Sequence, residues 1–143
     1  MFIGEYHHQI DEKGRMAVPV KFRPDLIHGA VVTRGLDSSL FLLPLEEWGK
    51  LATSLAALPL GQSNSRAFAR LMLAGAMEVG VDKQGRFVIP EYLRDYAELG
   101  KKVVIVGIHT RIEIWDEGKW ETYRRQTEDD AEKIAEQLGE LGI

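Results

Sequence analysis

The sequence predicts an α+β fold, mainly β with flanking helices, built from two copies of a ββαββ unit. Three observations predict it. First, Asp11-Glu12-Lys13-Gly14-Arg15-Met16-Ala17-Val18-Pro19-Val20-Lys21-Phe22-Arg23 recurs 71 residues later as Asp82-Lys83-Gln84-Gly85-Arg86-Phe87-Val88-Ile89-Pro90-Glu91-Tyr92-Leu93-Arg94, with Asp, Gly, Arg, Pro and Arg identical at five of 13 positions. Chance gives about one identity at residue frequencies of roughly 5–7%. Second, the match resumes at an offset of 72, where Gly35–Leu43 pairs with Gly107–Trp115 and Trp48 with Trp120. Third, 143 residues without a cysteine, 45% of them hydrophobic and 28% charged, describe one domain-sized globular chain with no disulfide framework and no thiolate chemistry.

Each copy reads in the same order. Apolar residues alternate into Ile10 and out again through Met16-Ala17-Val18, with Asp11-Glu12-Lys13-Gly14 between them. That pattern predicts a hairpin of two short strands about a Gly-containing turn. Pro19 suits the first turn of a helix, expected at about 20–25 and closed by Pro24. Pro90 opens the equivalent helix, expected to run further because Asp95 replaces the second proline. The β-rich runs Ala30–Thr33 and Leu40–Leu43 follow in copy one, and Val103–Val106 and Ile112–Trp115 in copy two. Trp48, Leu51, Leu55 and Leu58 then fall at helical spacing until Pro59-Leu60-Gly61 interrupts, and Ser63 or Ser65 is expected to cap a helix carrying Phe68, Leu71 and Met72. Asp116 is the expected cap of a helix bearing Trp120 and Tyr123. The expected organisation is a first repeat at 4–48, a helical connector at 49–74, a second repeat at 75–120, and an acidic C-terminal helix at 121–143.

Charge is unevenly placed. Residues 1–127 hold 17 Lys/Arg against 16 Asp/Glu, whereas 128–143 hold one Lys against six acids, so the net −4 belongs to the tail. A near-neutral body can still present a basic face. Ile134, Leu138 and Leu141 recur at i, i+4, i+7, so the tail is expected to pack on the body or on a neighbour.

Catalysis finds little support. His7, His8, His28 and His109 lie in no metal-ligand spacing, and neither a phosphate-cradling Gly loop nor a nucleophile elbow is present. Asp11 and Asp82 each sit beside an Arg that lowers their pKa, the opposite of what a general acid needs. We therefore expect no enzyme, metal, cofactor or small-molecule substrate. The N-terminus lacks the pattern of a signal peptide, and no apolar run is long enough to span a bilayer, so a cytoplasmic protein is expected.

The informative feature is the repeated Asp-x-x-Gly-Arg. As structure alone it is a turn, with Asp bonding its own backbone and Gly supplying the unusual angle. Yet Arg15 and Arg86 recur while their neighbours drift, Arg23 and Arg94 recur eight positions further, and Lys13 and Lys83 add charge within each turn. Pseudo-twofold pairing of the copies gathers these on one face, where guanidinium forks suit phosphate oxygens and guanine edges. Asp11 and Asp82 are the expected orienting partners of those forks.

The chain resembles the MraZ family of bacterial transcriptional regulators over essentially its whole length. The resemblance rests on Phe2-Ile3-Gly4-Glu5-Tyr6, the two Asp-x-x-x-Arg motifs (Asp11/Arg15 and Asp82/Arg86), the hydrophobic-Pro pair after each, and the Ala-containing central helix. Each copy is also similar to AbrB-type swapped-hairpin modules. The resemblance implies a double-split β-barrel formed within one chain, with Arg15 and Arg86 as DNA-binding residues. It further implies ring-shaped homo-oligomers that bind promoter direct repeats upstream of the division and cell-wall gene cluster, including the protein's own gene, usually to repress. Nucleoid association follows from that role. The competing class is an antitoxin-like protein-interaction module, since AbrB-like barrels also occur in antitoxins with acidic tails. Those proteins usually carry one copy per chain, whereas this chain carries two.

Overall fold

The computed structural model describes residues 1–142; Ile143, the end of the expected acidic helix, lies outside them. The two copies exchange strands. β1 (Phe2–Gln9) of copy one runs antiparallel to β7 (Lys102–His109) of copy two, from Phe2 opposite His109 to Gln9 opposite Lys102. Reciprocally, β5 (Met77–Val79) of copy two pairs with β3 (Ala30–Arg34) of copy one. With β4 (Leu40–Pro44) and β8 (Arg111–Asp116) they form a six-stranded antiparallel sheet in the order β1-β7-β8-β4-β3-β5. That order is symmetric in the duplication, with a pseudo-twofold passing between β8 and β4.

The expected hairpin is corrected by this exchange. The turn after Ile10 forms, but its two arms touch only at a single bridge, Ile10 to Met16. β2 (Arg15–Ala17) instead pairs with β6 (Arg86–Val88) of the other copy, Met16 lying opposite Phe87. The ribbon is extended by Val18 N–H donating to Gly85 O at 2.7 Å and Ile89 N–H to Gly14 O at 2.9 Å. Crossing copies turns Met16, Val18, Phe87 and Ile89 inward together, and all four are buried in one core. A local hairpin would pair an eight-residue strand with a three-residue one and leave most of β1 unsatisfied.

The main core draws on both copies: Phe2, Phe22, Leu26, Leu40 and Leu42 from the first meet Leu93, Val103, Ile105, Ile112 and Ile114 from the second. Sheet and ribbon enclose it from two sides. Their hydrogen bonding meets at the Ile10–Met16 bridge, so among the described residues the strands do not close into one continuous barrel ladder.

The prolines act as expected at helix starts and differently at ends. Pro19 precedes a 3₁₀ helix, Val20–Leu26, that contains Pro24 rather than ending at it. Pro90 precedes α3 (Glu91–Tyr96), which is no longer than its counterpart. It stops because Glu98 adopts φ 51° while Leu99 N–H returns to Arg94 O at 2.9 Å, a left-handed helix exit. α1 (Leu45–Ala56) packs Trp48, Leu51 and Leu55 on Phe41, Leu43 and Met72, with Leu58 just beyond its end joining them. α2 (Ser63–Ala69) runs into a π turn, Arg70–Ala74. Neither Ser63 nor Ser65 caps α2; Gln62 stands at the N-cap and makes no side-chain cap bond. Of Phe68, Leu71 and Met72 only Met72 is buried. Carbonyls of the π turn and the residues around it are taken by β3 side chains, Thr33 Oγ1 donating to Met72 O at 2.6 Å and Arg34 Nη1 to Leu71 O at 3.2 Å.

α4 (Glu117–Asp129) starts at Asp116, whose carboxylate accepts the Lys119 N–H as the sequence predicts. Trp120 and Tyr123 pack on Trp115. α5 (Ala131–Leu138) and a 3₁₀ turn, Gly139–Leu141, follow. Packing of the tail on the body does not occur: every residue from 125 to 142 is exposed. Beyond Tyr123 the helices leave the sheet, and Ile134 and Leu138 stay 38% and 37% exposed and Leu141 72%.

Candidate nucleic-acid interface

Alternation on the ribbon places the arginines. Met16 and Phe87 point inward, so Arg15, Ala17, Arg86 and Val88 point outward on the opposite face. Arg15 lies opposite Val88 and Arg86 opposite Ala17, which makes the two arginines diagonal neighbours. Their Cα atoms are therefore roughly 7–8 Å apart.

Each arginine is set by its turn. In copy one, Asp11 Oδ1 accepts the N–H groups of Lys13 and Arg15, both at 2.9 Å, while Oδ2 accepts Arg15 Nε at 2.7 Å. The backbone N–H of Arg15, aided by its guanidinium and by Lys13 N–H, holds the Asp11 carboxyl below its ordinary 3.8. In copy two, Asp82 Oδ1 accepts the N–H groups of Gln84 at 2.8 Å and Arg86 at 2.9 Å. There too the Arg86 N–H leads in lowering the carboxyl pKa. The side-chain contact is looser: Arg86 Nε stands 3.4 Å from Asp82 Oδ2 and makes no hydrogen bond. Both aspartates stay ionised at neutral pH; Asp11 grips its guanidinium through Nε, which leaves the Nη donors of Arg15 free of hydrogen bonds among the described residues, while Asp82 faces Arg86 as an ion pair only.

Glycine is required in both turns. Gly14 has φ 80° and Gly85 φ 77°, values that side-chain-bearing residues adopt with strain. Each glycine also carries a guanidinium from the other copy. A Cβ on Gly85 would lie 2.1 Å from Arg23 Nε, and one on Gly14 3.0 Å from Arg94 Cζ. Arg23 Nε donates to Val18 O at 2.9 Å and Arg94 Nε to Ile89 O at 3.0 Å. Arg23 and Arg94 thus lie beside the ribbon, tied to its backbone and covering the opposite turn. Lys13 and Lys83 extend from the turns exposed and make no ion pair among the described residues.

The crossed contact of each helix arginine with the other copy's glycine joins segments that local sequence pattern does not connect. Its one signal in the sequence was the recurrence of Arg23 and Arg94 at a fixed distance from the turn arginines. A further support is His8, whose Nδ1 lies 2.6 Å from Ala17 O and joins β1 to the ribbon. Among the described residues no group of three or more His, Asp or Glu side chains is placed to hold a metal ion, and no helix is long and apolar enough to cross a membrane.

Comparison with known proteins accounts for the duplication. A family model described as "MraZ protein, putative antitoxin-like" matches twice, at residues 1–71 and 72–140. The protein named Transcriptional regulator MraZ from Acetivibrio thermocellus is 50% identical over 143 residues, covering all of both chains. Proteins of the same name from Moorella thermoacetica and Natranaerobius thermophilus are 46% and 48% identical over the same full length. The two matched repeats meet between the strand-exchanging copies, and the likeness extends from end to end: the chain belongs to the MraZ family.

Proposed function

We propose that this protein is a sequence-specific DNA-binding transcriptional regulator, a repressor that works as a ring-shaped homo-oligomer on promoter direct repeats. One observation carries the reading: two arginines, each oriented by an aspartate, stand side by side on the outer face of a two-stranded ribbon. A major groove about 12 Å wide admits such a ribbon, and an arginine fork fits the O6 and N7 acceptors of guanine. Lys13 and Lys83 flank the pair as phosphate contacts, and Arg23 and Arg94 complete the basic face while fixing the turns. The relatives' printed name supports regulation of transcription. The resemblance noted above supports the division and cell-wall gene cluster, including the protein's own gene, as the target. The same reading puts the protein in the cytoplasm, associated with the nucleoid, and gives it no catalytic role.

The orienting role of Asp11 yields a result opposite to simple charge counting. Asp11→Asn removes a negative charge from a DNA-facing turn, yet it is expected to weaken binding. Its amide would present N–H to Arg15 Nε, or else give up an acceptor to the Lys13 and Arg15 N–H groups, now at 2.9 Å. An anisotropy titration at fixed salt checks this; tighter binding by the variant would reduce Asp11 to a turn former.

Assembly is tested through operator length. One chain with a near-neutral body offers few phosphate contacts, so a single repeat is expected to bind weakly and with steep salt dependence. Several chains joined in a ring make later contacts intramolecular, worth roughly 10²–10⁴ in avidity. Head-to-tail closure relates neighbouring faces by rotation, which matches direct repeats and not palindromes. Fragments with three repeats, spaced near one turn of about 10 bp, are expected to bind far more tightly than fragments with one. Half a turn inserted between repeats is expected to remove most of the gain in a gel shift. Equal affinity for one and three repeats would sink the ring.

A further inference from the structure

Two niches on the body are related by the pseudo-twofold, and they differ in what fills them. The first lies between the β7–β8 turn, at Thr110 and Arg111, and α1 with the end of β4; it measures about 250 Å³. The second lies between the β3–β4 turn, at Asp37 and Ser38, and α4 with the end of β8; it measures about 660 Å³. At the 72-residue offset Ser38 corresponds to Thr110, Trp115 to Leu43 and Tyr123 to Leu51. No residue lining the larger niche belongs to the arginine-bearing ribbon or its turns.

The smaller niche is occupied by a cation of the chain itself. The Arg111 guanidinium lies 4.8 Å from the centroid of the Phe41 ring, and its Nη2 is 3.0 Å from Glu113 Oε2. An aromatic face beside a carboxylate suits a planar cation on both counts, stacking and bidentate pairing. In the other copy Ser39 stands at the position of Arg111. It is buried and donates to Leu36 O at 2.8 Å, so the larger niche lacks the guanidinium that fills its counterpart.

The larger niche nevertheless carries both features that hold Arg111. Trp115 and Tyr123 line it with aromatic rings 5.0 Å apart and inclined at 45°, and Trp115 is fixed by its Nε1 donating to Glu113 Oε1 at 3.1 Å. The acid is Asp37, exposed and without an ion pair among the described residues. Other charges at the niche are committed: Asp116 accepts the N–H groups of Gly100 and Lys119, and Lys119 Nζ pairs with Glu98. Asp37 and Ser38 both have left-handed backbone, φ 57° and 61°, the pattern of a type I′ turn in which glycine is usual at the second place. The β7–β8 turn makes the same connection with positive φ at His109 and not at Thr110, so the hairpin does not need a strained Ser38. The strain falls at the mouth of the niche, where it brings Asp37 to the rim.

We propose that the niche between the β3–β4 turn and α4 binds the guanidinium of an arginine, free or carried on a peptide, against Trp115 and Tyr123 and paired with Asp37. Oxygens of Ser38 and Gln126 line the same space as acceptors for the remaining N–H donors. The chain's own Arg111 is the precedent for this ligand: the second niche repeats the first with the internal cation left out and the space for an external one kept open. Binding here needs no nucleic acid, so failure of the DNA reading leaves the proposal standing, and its own failure leaves that reading untouched.

The test is equilibrium dialysis of the full-length protein against radiolabelled arginine amide and, in parallel, the labelled tripeptide Gly-Arg-Gly amide. Saturable binding of one molecule per chain is expected, and none of citrulline amide, which has the same shape without the charge. The chain carries 22 acidic residues, so the variants decide whether this niche is the site. Asp37→Asn is expected to weaken binding by roughly two- to fivefold, and Tyr123→Leu by roughly 2- to 30-fold. Tyr123→Phe keeps the ring and is expected to bind as the unaltered protein does. Tighter binding of the tripeptide than of arginine amide assigns the site to a peptide arginine, and equal or weaker binding to the free molecule. No saturable binding of either probe, equal binding of citrulline amide, or unchanged affinity in Asp37→Asn or Tyr123→Leu would each overturn the proposal. Circular dichroism checks folding, and if Tyr123→Leu does not fold, Asp37→Asn on the exposed turn decides alone.

Discussion

Replacing Arg15 and Arg86 together by alanine is expected to cut operator affinity by roughly 30- to 20,000-fold, from about 1–3 kcal/mol for each lost contact. The melting temperature is expected to move little. Both side chains lie on the outer face of the ribbon, at 33% and 32% exposure, and neither contributes to the core beneath. Arg86→Ala even removes a buried Nε that has no hydrogen-bond partner, a group that is unfavourable to keep. The single variants need not add, because diagonal neighbours on a ribbon share one stretch of DNA. The lysines give the contrast. Lys13→Ala and Lys83→Ala are expected to weaken binding to all sequences alike and each to lower the salt slope by about 1. Normal binding by the double arginine variant in a gel shift would remove these residues from the interface.

The largest loss of stability is expected from Gly107→Val, in the β1–β7 ladder rather than on the ribbon. Gly107 lies opposite Gly4 in the β1–β7 ladder. A Cβ there would fall 2.5 Å from Ile3 N, 2.7 Å from Phe2 C and 2.9 Å from Ile3 Cα. All three are backbone atoms, so no side chain can swing aside and β1 itself must move. With β1 goes Phe2, whose ring packs edge-on against Phe22 with centroids 5.2 Å apart. Losing a buried Phe costs about 3–5 kcal/mol, a large share of the roughly 5–15 kcal/mol that holds a domain together. Urea unfolding followed by tryptophan fluorescence checks it. An unchanged midpoint would mean that β1 contributes little to the fold.

What was legible in the sequence was local. Asp11 and Asp82 bonding their own turns, Gly14 and Gly85 with positive φ, Pro19 and Pro90 before their helices, and Asp116 as a cap all act within a few residues of themselves. The outward placement of Arg15 and Arg86 follows from alternation against Met16 and Phe87. Partnership was not legible in the residue pattern, and only the resemblance to swapped-hairpin modules pointed to an exchange between the copies. Alternation says that Phe2–Gln9 is a strand but not that Lys102–His109 receives it, and the hairpin expectation chose the nearest candidate. The same limit hid Arg23 on Gly85 and Arg94 on Gly14, contacts between segments more than sixty residues apart. The difference between the Asp11–Arg15 and Asp82–Arg86 pairs, 2.7 against 3.4 Å, lies below anything two matching motifs can reveal. The tail shows the converse: the spacing of Ile134 and Leu138 marks an apolar side, and in the fold that side stays partly exposed rather than packing on the sheet.

The strand exchange also has a consequence in time. β1 leaves the ribosome about 100 residues before β7, so at roughly 5–20 residues per second it waits about 5–20 seconds for its partner. During that wait β2 lacks β6 and the outer edge of β3 lacks β5, although β3 and β4 already have each other and α1 lies close behind them in sequence. On a polysome the half-made chain is surrounded by others carrying identical unpaired strands. Having both copies on one chain answers that competition. The second copy emerges tethered through the connector at an effective concentration on the order of millimolar, above what neighbouring nascent chains supply. Duplication within one polypeptide thereby converts an exchange that separate chains would make with any passing partner into one made with the partner already attached.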